Sequence, residues 1–270
     1  MIKLTIIGAG SAVFTKNIVS DLLSVDAFKK MEISLQDIDP VRLKASHELL
    51  NVIADKLNAT PTITSHTDRR ESLQGSDFVQ TTIQVGGYEP STVIDFEIPN
   101  QYGLRQTIAD TLGIGGIMRG LRTIPVLLDI AKDIMEICPK AIWLQYVNPM
   151  CANMIAINNS FPEIKTIGLC HSVQGTAEML ARDLGEKIED IDYLCAGINH
   201  MAFYKKFEKI SNDGKNEDLY QRLKNLADKI INDEELSSRS KKIDHESDKV
   251  LHEKVRYEIL RRFGYFVTES

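Results

Sequence analysis

Short apolar runs alternating with amphipathic segments recur through the first two hundred residues, and no other feature restricts the fold of this chain as much. They predict strands near 2–7, 32–36, 61–65, 77–84, 141–147 and 164–169. After the first run, Val13, Ile18, Val19, Leu22 and Leu23 fall at helical spacing over 12–28. Leu43, Leu49, Leu50, Ile53 and Leu57 do the same over 41–57. A chain that alternates strand and helix in this way lays its strands side by side as a parallel sheet and covers both faces with helices. The expected class is therefore α/β, a Rossmann-like doubly wound parallel sheet followed by the beginning of a second, α+β domain. The expected division is 1–196 and 197–270.

A longer helical pattern runs from about Ile117 to Ile137, preceded by Gly113, Gly115 and Gly116. Pro125 inside it either kinks the helix or marks its first turn. Residues 208–248 are rich in Lys, Asp, Glu, Asn and Ser, with one amphipathic stretch at Leu219, Leu223, Leu226 and Ile230. A further helix is expected over about 249–263.

Apolar residues make up 43% of the 270 and charged residues 26%, a composition that supports a substantial core. The net charge of −6, with no basic stripe interleaved with aromatics, argues against nucleic acid as a partner. The first five residues carry no leader pattern, and no apolar run approaches the ~20 residues of a membrane span. No membrane association is expected, and a cytoplasmic location is. Cys138, Cys151, Cys170 and Cys195 are too scattered for a disulfide framework and are expected to be reduced.

Gly8-Ala9-Gly10-Ser11 follows the first strand and opens a helix. Such a turn presents backbone N–H groups and the positive helix end to a pyrophosphate, and Gly10 allows close approach. Val13 stands where the full fingerprint has its third glycine, and a glycine turn is also an ordinary structural solution. Asp37, at the end of the second strand, lies where an acid binds the adenosine ribose and repels a 2′-phosphate, which favours NAD over NADP. Asp39-Pro40 reads as a helix cap.

Asn148-Pro149 and Cys170-His171-Ser172 each follow an apolar run, so their side chains project from strand ends, where open α/β sheets place ligands. Asn148 could equally cap the next helix. His200 follows another apolar run, and a thiolate and an imidazole can share a metal. The plainer alternative is a small core cysteine and a hydrogen-bonded histidine. His171 and Ser172 could bond substrate hydroxyls or simply start a helix. Asp110, Arg119 and Arg122 fall in what reads as a loop entering a helix, which could bring a carboxylate and a guanidinium to a ligand.

Taken in order, Gly8 to Ser11, Asp37-Ile38-Asp39, Thr107 to Arg122, Val147-Asn148-Pro149-Met150, Gly168-Leu169-Cys170-His171-Ser172 and Gly197-Ile198-Asn199-His200 resemble glycoside hydrolase family 4. The Cys-His-Ser triplet is similar to that of its α-galactosidase branch. The resemblance covers essentially the whole chain, but family members are considerably longer. It therefore implies a C-terminally truncated member that lacks part of a second, substrate-side domain.

The resemblance implies NAD at Gly8, Gly10, Ser11 and Asp37, a divalent ion, typically Mn2+, on Cys170 and His200, and a sugar contact at Asn148. Ligand chemistry by itself would nominate Zn2+ for a thiolate and an imidazole; substrate hydroxyls would supply the oxygens that Mn2+ prefers. The implied substrate is a small α-galactoside such as melibiose, and a homo-oligomer is expected. The implied route, an exception to the two-carboxylate scheme, is oxidation at C3, deprotonation at C2, elimination of the aglycone, water addition and re-reduction. Tyr257 is the expected base, with Tyr265 second, although either could be a packing residue. Asp110 matches an aspartate that assists the base, and His171 is the expected proton donor. Three alternatives stand beside this reading: another family 4 α-glycosidase (an α-glucosidase or α-glucuronidase), a catalytically incomplete NAD-binding fragment, and a 2-hydroxyacid dehydrogenase.

Overall fold

In the computed structural model the described residues are 1–211, 214–232 and 254–269. They divide into two compact units, Met1–Leu169 and Cys170–Ser270. The division expected at 196/197 falls inside a strand of the second unit.

The first unit is built on six strands: β1 (Lys3–Ile7), β2 (Glu32–Gln36), β3 (Thr62–His66), β4 (Phe78–Thr81), β5 (Ile142–Gln145) and β6 (Lys165–Gly168). Their order is β3-β2-β1-β4-β5-β6, and every neighbouring pair is parallel. The order reverses between β1 and β4, the topological switch point at whose carboxyl edge such sheets bind ligands. This is the doubly wound sheet the alternation predicts.

Helices α1 (Ala12–Ser24) and α2 (Pro40–Lys56) pack Val19, Leu23, Leu43 and Leu50 against Leu4, Ile6, Ile33 and Leu35. A short α3 spans Arg69–Leu73, and α4 spans Val93–Gln101. Helices α5 (Gly113–Ile137) and α6 (Met150–Ser160) contribute Leu127, Ile130, Ile134 and Ile157 to a second cluster with Val79 and Trp143. Trp143 Nε1 donates to Thr81 Oγ1 at 2.7 Å, so this large buried ring brings its polar atom to a partner.

Local chemistry explains several boundaries. Asp39 caps α2 as expected, accepting from the N–H groups of Val41 and Arg42, an arrangement worth about 1 kcal/mol. Helix α1 stops at Ser24, short of the expected residue 28, because residues 26–28 tighten into a 3-10 turn. Helix α5 begins at Gly113, earlier than the apolar period shows, and Pro125 lies inside it. The glycines that look like punctuation belong to its first turns. A Cβ on Gly115 or Gly116 would stand 2.5 Å from the Ala109 carbonyl oxygen or 2.4 Å from that of Thr111, so only glycine lets the helix start this close to the preceding loop.

In the second unit α7 (Ser172–Asp183) is followed by β7 (Ile191–Ile198), β8 (Met201–Lys209) and β9 (Glu217–Asp218), an antiparallel sheet in the order β7-β8-β9. Helices α8 (Tyr220–Asn232) and α9 (Lys254–Phe263) complete it. The expected helix over 249–263 is thus found from 254, and its first residues lie outside the described ones. Leu180, Tyr204, Phe207, Leu223, Leu260 and Phe266 form the core. Residues 266–268 run beside β8, with Tyr204 N donating to Phe266 O and Thr268 N to Ala202 O. Buried Arg256 ties α9 to α7 and to this segment, donating to Thr176 Oγ1 at 2.9 Å and to Thr268 O at 2.6 Å.

Candidate active site

The turn after β1 is shaped by its glycines. Gly8 has φ +86°, and a Cβ there would stand 2.7 Å from the Thr82 carbonyl oxygen. Gly8 N and Ala9 N both donate to Gln36 O, which ties the loop to the end of β2. Asp37 is buried; its Oδ2 accepts from Gly10 N at 2.7 Å and its Oδ1 from Asp39 N at 2.9 Å. The acid that the sequence assigns to a ribose thus also anchors the loop. Ser11 ends the turn immediately before α1 and makes no side-chain cap.

At the other side of the switch point, the Asn148 side chain does not cap α6. Its Nδ2 donates to Asp110 Oδ2 at 2.9 Å, and Arg119 Nε donates to its backbone oxygen at 3.2 Å. The Asn148-Pro149 bond is cis. Arg122 is committed elsewhere, to a forked ion pair with buried Asp95 at 2.9 and 2.5 Å. Burial pulls the Arg119 guanidinium below its ordinary value; Asp110 and Asp95 oppose this, and Arg122 adds to it.

In the second unit Cys170, just ahead of α7, meets His200, in the two-residue turn that joins β7 to β8. Sγ and Nε2 are 3.1 Å apart. Ser172 adds its Oγ at 3.2 Å and its backbone N–H at 3.5 Å. Burial pushes the Cys170 thiol up, but hydrogen bonds from His200, Ser172 and Asn199 outweigh it and hold it down to about 7. The thiolate is thus accessible near neutrality. His200 has φ +63°, a left-handed conformation that costs a non-glycine residue about 1–2 kcal/mol.

The donor set fits a divalent ion. With metal bonds of about 2.0–2.3 Å, two donors at a right angle around one ion stand about 3 Å apart. Buried Asn199 Oδ1 lies beside the pair with no protein partner, a polar atom suited to an ordered ligand. Among the described residues no cluster of three or more His, Cys, Asp and Glu side chains is set to hold a metal, so further donors would be oxygens from outside that set.

The family model described as Family 4 glycosyl hydrolase matches residues 3–186, and that of the Family 4 glycosyl hydrolase C-terminal domain matches residues 195–270. The chain belongs to glycosyl hydrolase family 4. It is 48% identical to the alpha-galactosidase of Bacillus subtilis (strain 168), covering 100% of this chain and 57% of that protein. It is 36% identical to the alpha-galactosidase of Rhizobium meliloti (strain 1021), covering 99% of this chain and 50% of that one. The chain spans about half the length of the curated relatives it matches. A 6-phospho-alpha-glucosidase from gut microorganisms, solved in complex with NAD and Mn2+, matches with a TM-score of 0.81 at 20% identity, over 99% of this chain and 59% of that one. At that identity the match speaks for the fold.

In this family 4 chain the structure brings Cys170 to His200, the two residues the sequence places in one crevice, and it also joins Asp110 to Asn148, a contact the motifs do not predict. His171 is exposed at the start of α7. Tyr257 is placed differently from the expected base. Its ring is fully buried against Phe266, and its hydroxyl donates to Asp183 Oδ2 at 2.9 Å, which is the packing alternative. Tyr265 is exposed, with the Lys205 ammonium 3.7 Å above its ring. Two neighbours of the Cys170–His200 pair carried no clear sequence signal. Asn199 was visible only as half of a polar dipeptide, and Glu269 Oε1 lies 3.9 Å from His200 Nε2.

Proposed function

We propose that the chain is the cofactor- and metal-binding part of an NAD- and divalent-metal-dependent α-galactosidase acting on small α-galactosides such as melibiose. The observation that carries this reading is the Cys170–His200 pair at 3.1 Å in a chain 48% identical to an alpha-galactosidase. Functionally we divide the chain near residue 197: the part before it serves NAD and also supplies Asn148 and Cys170, and the part from it onward, with His200, begins the substrate and metal side.

In this reading Gly8, Gly10 and Ser11 present the start of α1 to the cofactor's pyrophosphate, and the Asp37 carboxylate takes ribose hydroxyls and repels a 2′-phosphate. Cys170 and His200 hold the ion. When bound, NAD and Mn2+ would supply reversible oxidation at the sugar's C3 and polarisation of its C2 and C3 oxygens. Asn148, fixed by Asp110, contacts the sugar. His171 is assigned proton delivery to the leaving oxygen. Because the Tyr257 hydroxyl is engaged by Asp183, we assign removal of the C2 proton to Tyr265. A homo-oligomer in the cytoplasm is part of the same proposal. No helix among the described residues is long and apolar enough to cross a membrane.

The test is nitrophenol release from an aryl α-galactoside by the purified chain with reductant, with NAD and Mn2+ supplied together or singly, and with the α-glucoside as comparison. Release that needs both additions and the galacto configuration supports the proposal. No release with NAD still bound would instead mark a binding fragment.

A further inference from the structure

We propose that Arg119 is a substrate-contacting residue that, with Asp110 and Asn148, forms a donor, amide and acceptor row selecting an uncharged hexopyranoside over a uronide or a sugar phosphate. The proposal rests on the assignment of Asn148 as a sugar contact.

Arg119 differs from three of the other engaged arginines. Arg69, Arg122 and Arg222 each reach a carboxylate within 2.7 Å, as expected of a guanidinium withdrawn from water. Arg119 is half-buried, yet among the described residues it forms no ion pair, and its one hydrogen bond is from Nε to the Asn148 oxygen. Its terminal nitrogens carry four N–H groups with no protein acceptor. Those donors are open to water, whose place a ligand oxygen can take.

The direction in which those donors are used follows from the neighbours. Arg119 donates to the backbone of the same asparagine whose side chain donates to Asp110. Donor and acceptor groups are therefore held on either side of one residue, and Asn148 Oδ1 adds a further acceptor. Charge decides the substrate class. Arg122 and Asp95 neutralise one another in their forked pair, and the Asp110 carboxylate balances Arg119. Within these four residues the charges cancel, and Asp110 would repel a carboxylate or a phosphate. Sugar hydroxyls, which both donate and accept, use the whole row.

The experiment is titration of the NAD-loaded chain with methyl α-galactopyranoside, the corresponding galacturonide and galactose 6-phosphate, read by ligand-observed NMR. The wild type should favour the neutral sugar by about tenfold or more, and Arg119→Ala should weaken that binding by about tenfold while leaving NAD affinity unchanged. Arg119→Lys should recover only part of it, since the ammonium restores charge but not the planar fork. Asp110→Asn should shift preference toward the two anions. Unchanged galactoside binding in Arg119→Ala, alongside its loss in Asn148→Ala, would overturn the proposal and leave the function reading standing. A wild type that prefers an anionic sugar also overturns it, and one that binds none of the three removes both.

Discussion

Cys170 Sγ and His200 Nε2 stand 3.1 Å apart across a separation of 30 residues, one just ahead of a helix and the other in a hairpin turn. Because the pair is made by two elements of the same compact unit, it needs no movement to form. What it binds can therefore be examined with simple probes.

Thiol reactivity is the first probe. Burial pushes Cys170 up, but its hydrogen bonds bring it down to about 7, whereas burial drives Cys138 up to about 11. In chelator-treated protein, alkylation of Cys170 should rise as pH passes through about 7 and then level off, while Cys138 stays unmodified. Peptide mass spectrometry between pH 5.5 and 8.5 reads this directly. His200→Ala should slow the reaction at pH 7, and added Mn2+ should protect. Equal alkylation of both cysteines at pH 7 would contradict the hydrogen-bonded thiolate.

Two glycines with positive φ, Gly8 in the turn after β1 and Gly75 just after α3, offer a comparison. Gly75, at φ +71° with open space around it, should cost about 1–2 kcal/mol when replaced by alanine, from backbone strain by itself. Gly8→Ala meets the same strain and in addition the Thr82 carbonyl oxygen at 2.7 Å. It should therefore cost more and also weaken NAD binding. Urea unfolding with an NAD titration checks both, and equal costs with unchanged NAD affinity would count against the loop geometry.

Tyr257→Phe removes a hydrogen bond to a buried carboxylate and should destabilise the protein by roughly 1.5–3 kcal/mol. NAD and Mn2+ binding should persist. Should the variant keep its stability and yet lose turnover, the tyrosine would act in chemistry and its role in packing would be the lesser one.

Much of the first unit was legible because its signals are local. The apolar runs at β1, β2 and β4 are short, bounded by turns and buried, and Asp39-Pro40 carries its cap within three residues. The start of α5 was misread because Gly115 and Gly116 disfavour a helix by propensity and are retained for close approach to residues 109–111, a tertiary cause. The Cys170–His200 pair was suggested by side-chain type and by resemblance, but spacing could not have joined residues 170 and 200. Glu269 and Arg256 gave no warning, since a single carboxylate or guanidinium in a polar stretch is ordinarily solvated. At Tyr257 the sequence left two readings, a base and a packing residue, and the buried ring with its hydroxyl on Asp183 is the arrangement of the second.

The turn at His200 has a consequence for anyone who tries to improve this protein. Glycine at that position would relieve the left-handed backbone and would be scored as a gain by any selection for expression or heat resistance. The imidazole would be lost in the same step. Stabilised libraries should therefore hold residue 200 fixed, because at this position a screen for sturdiness works directly against the chemistry.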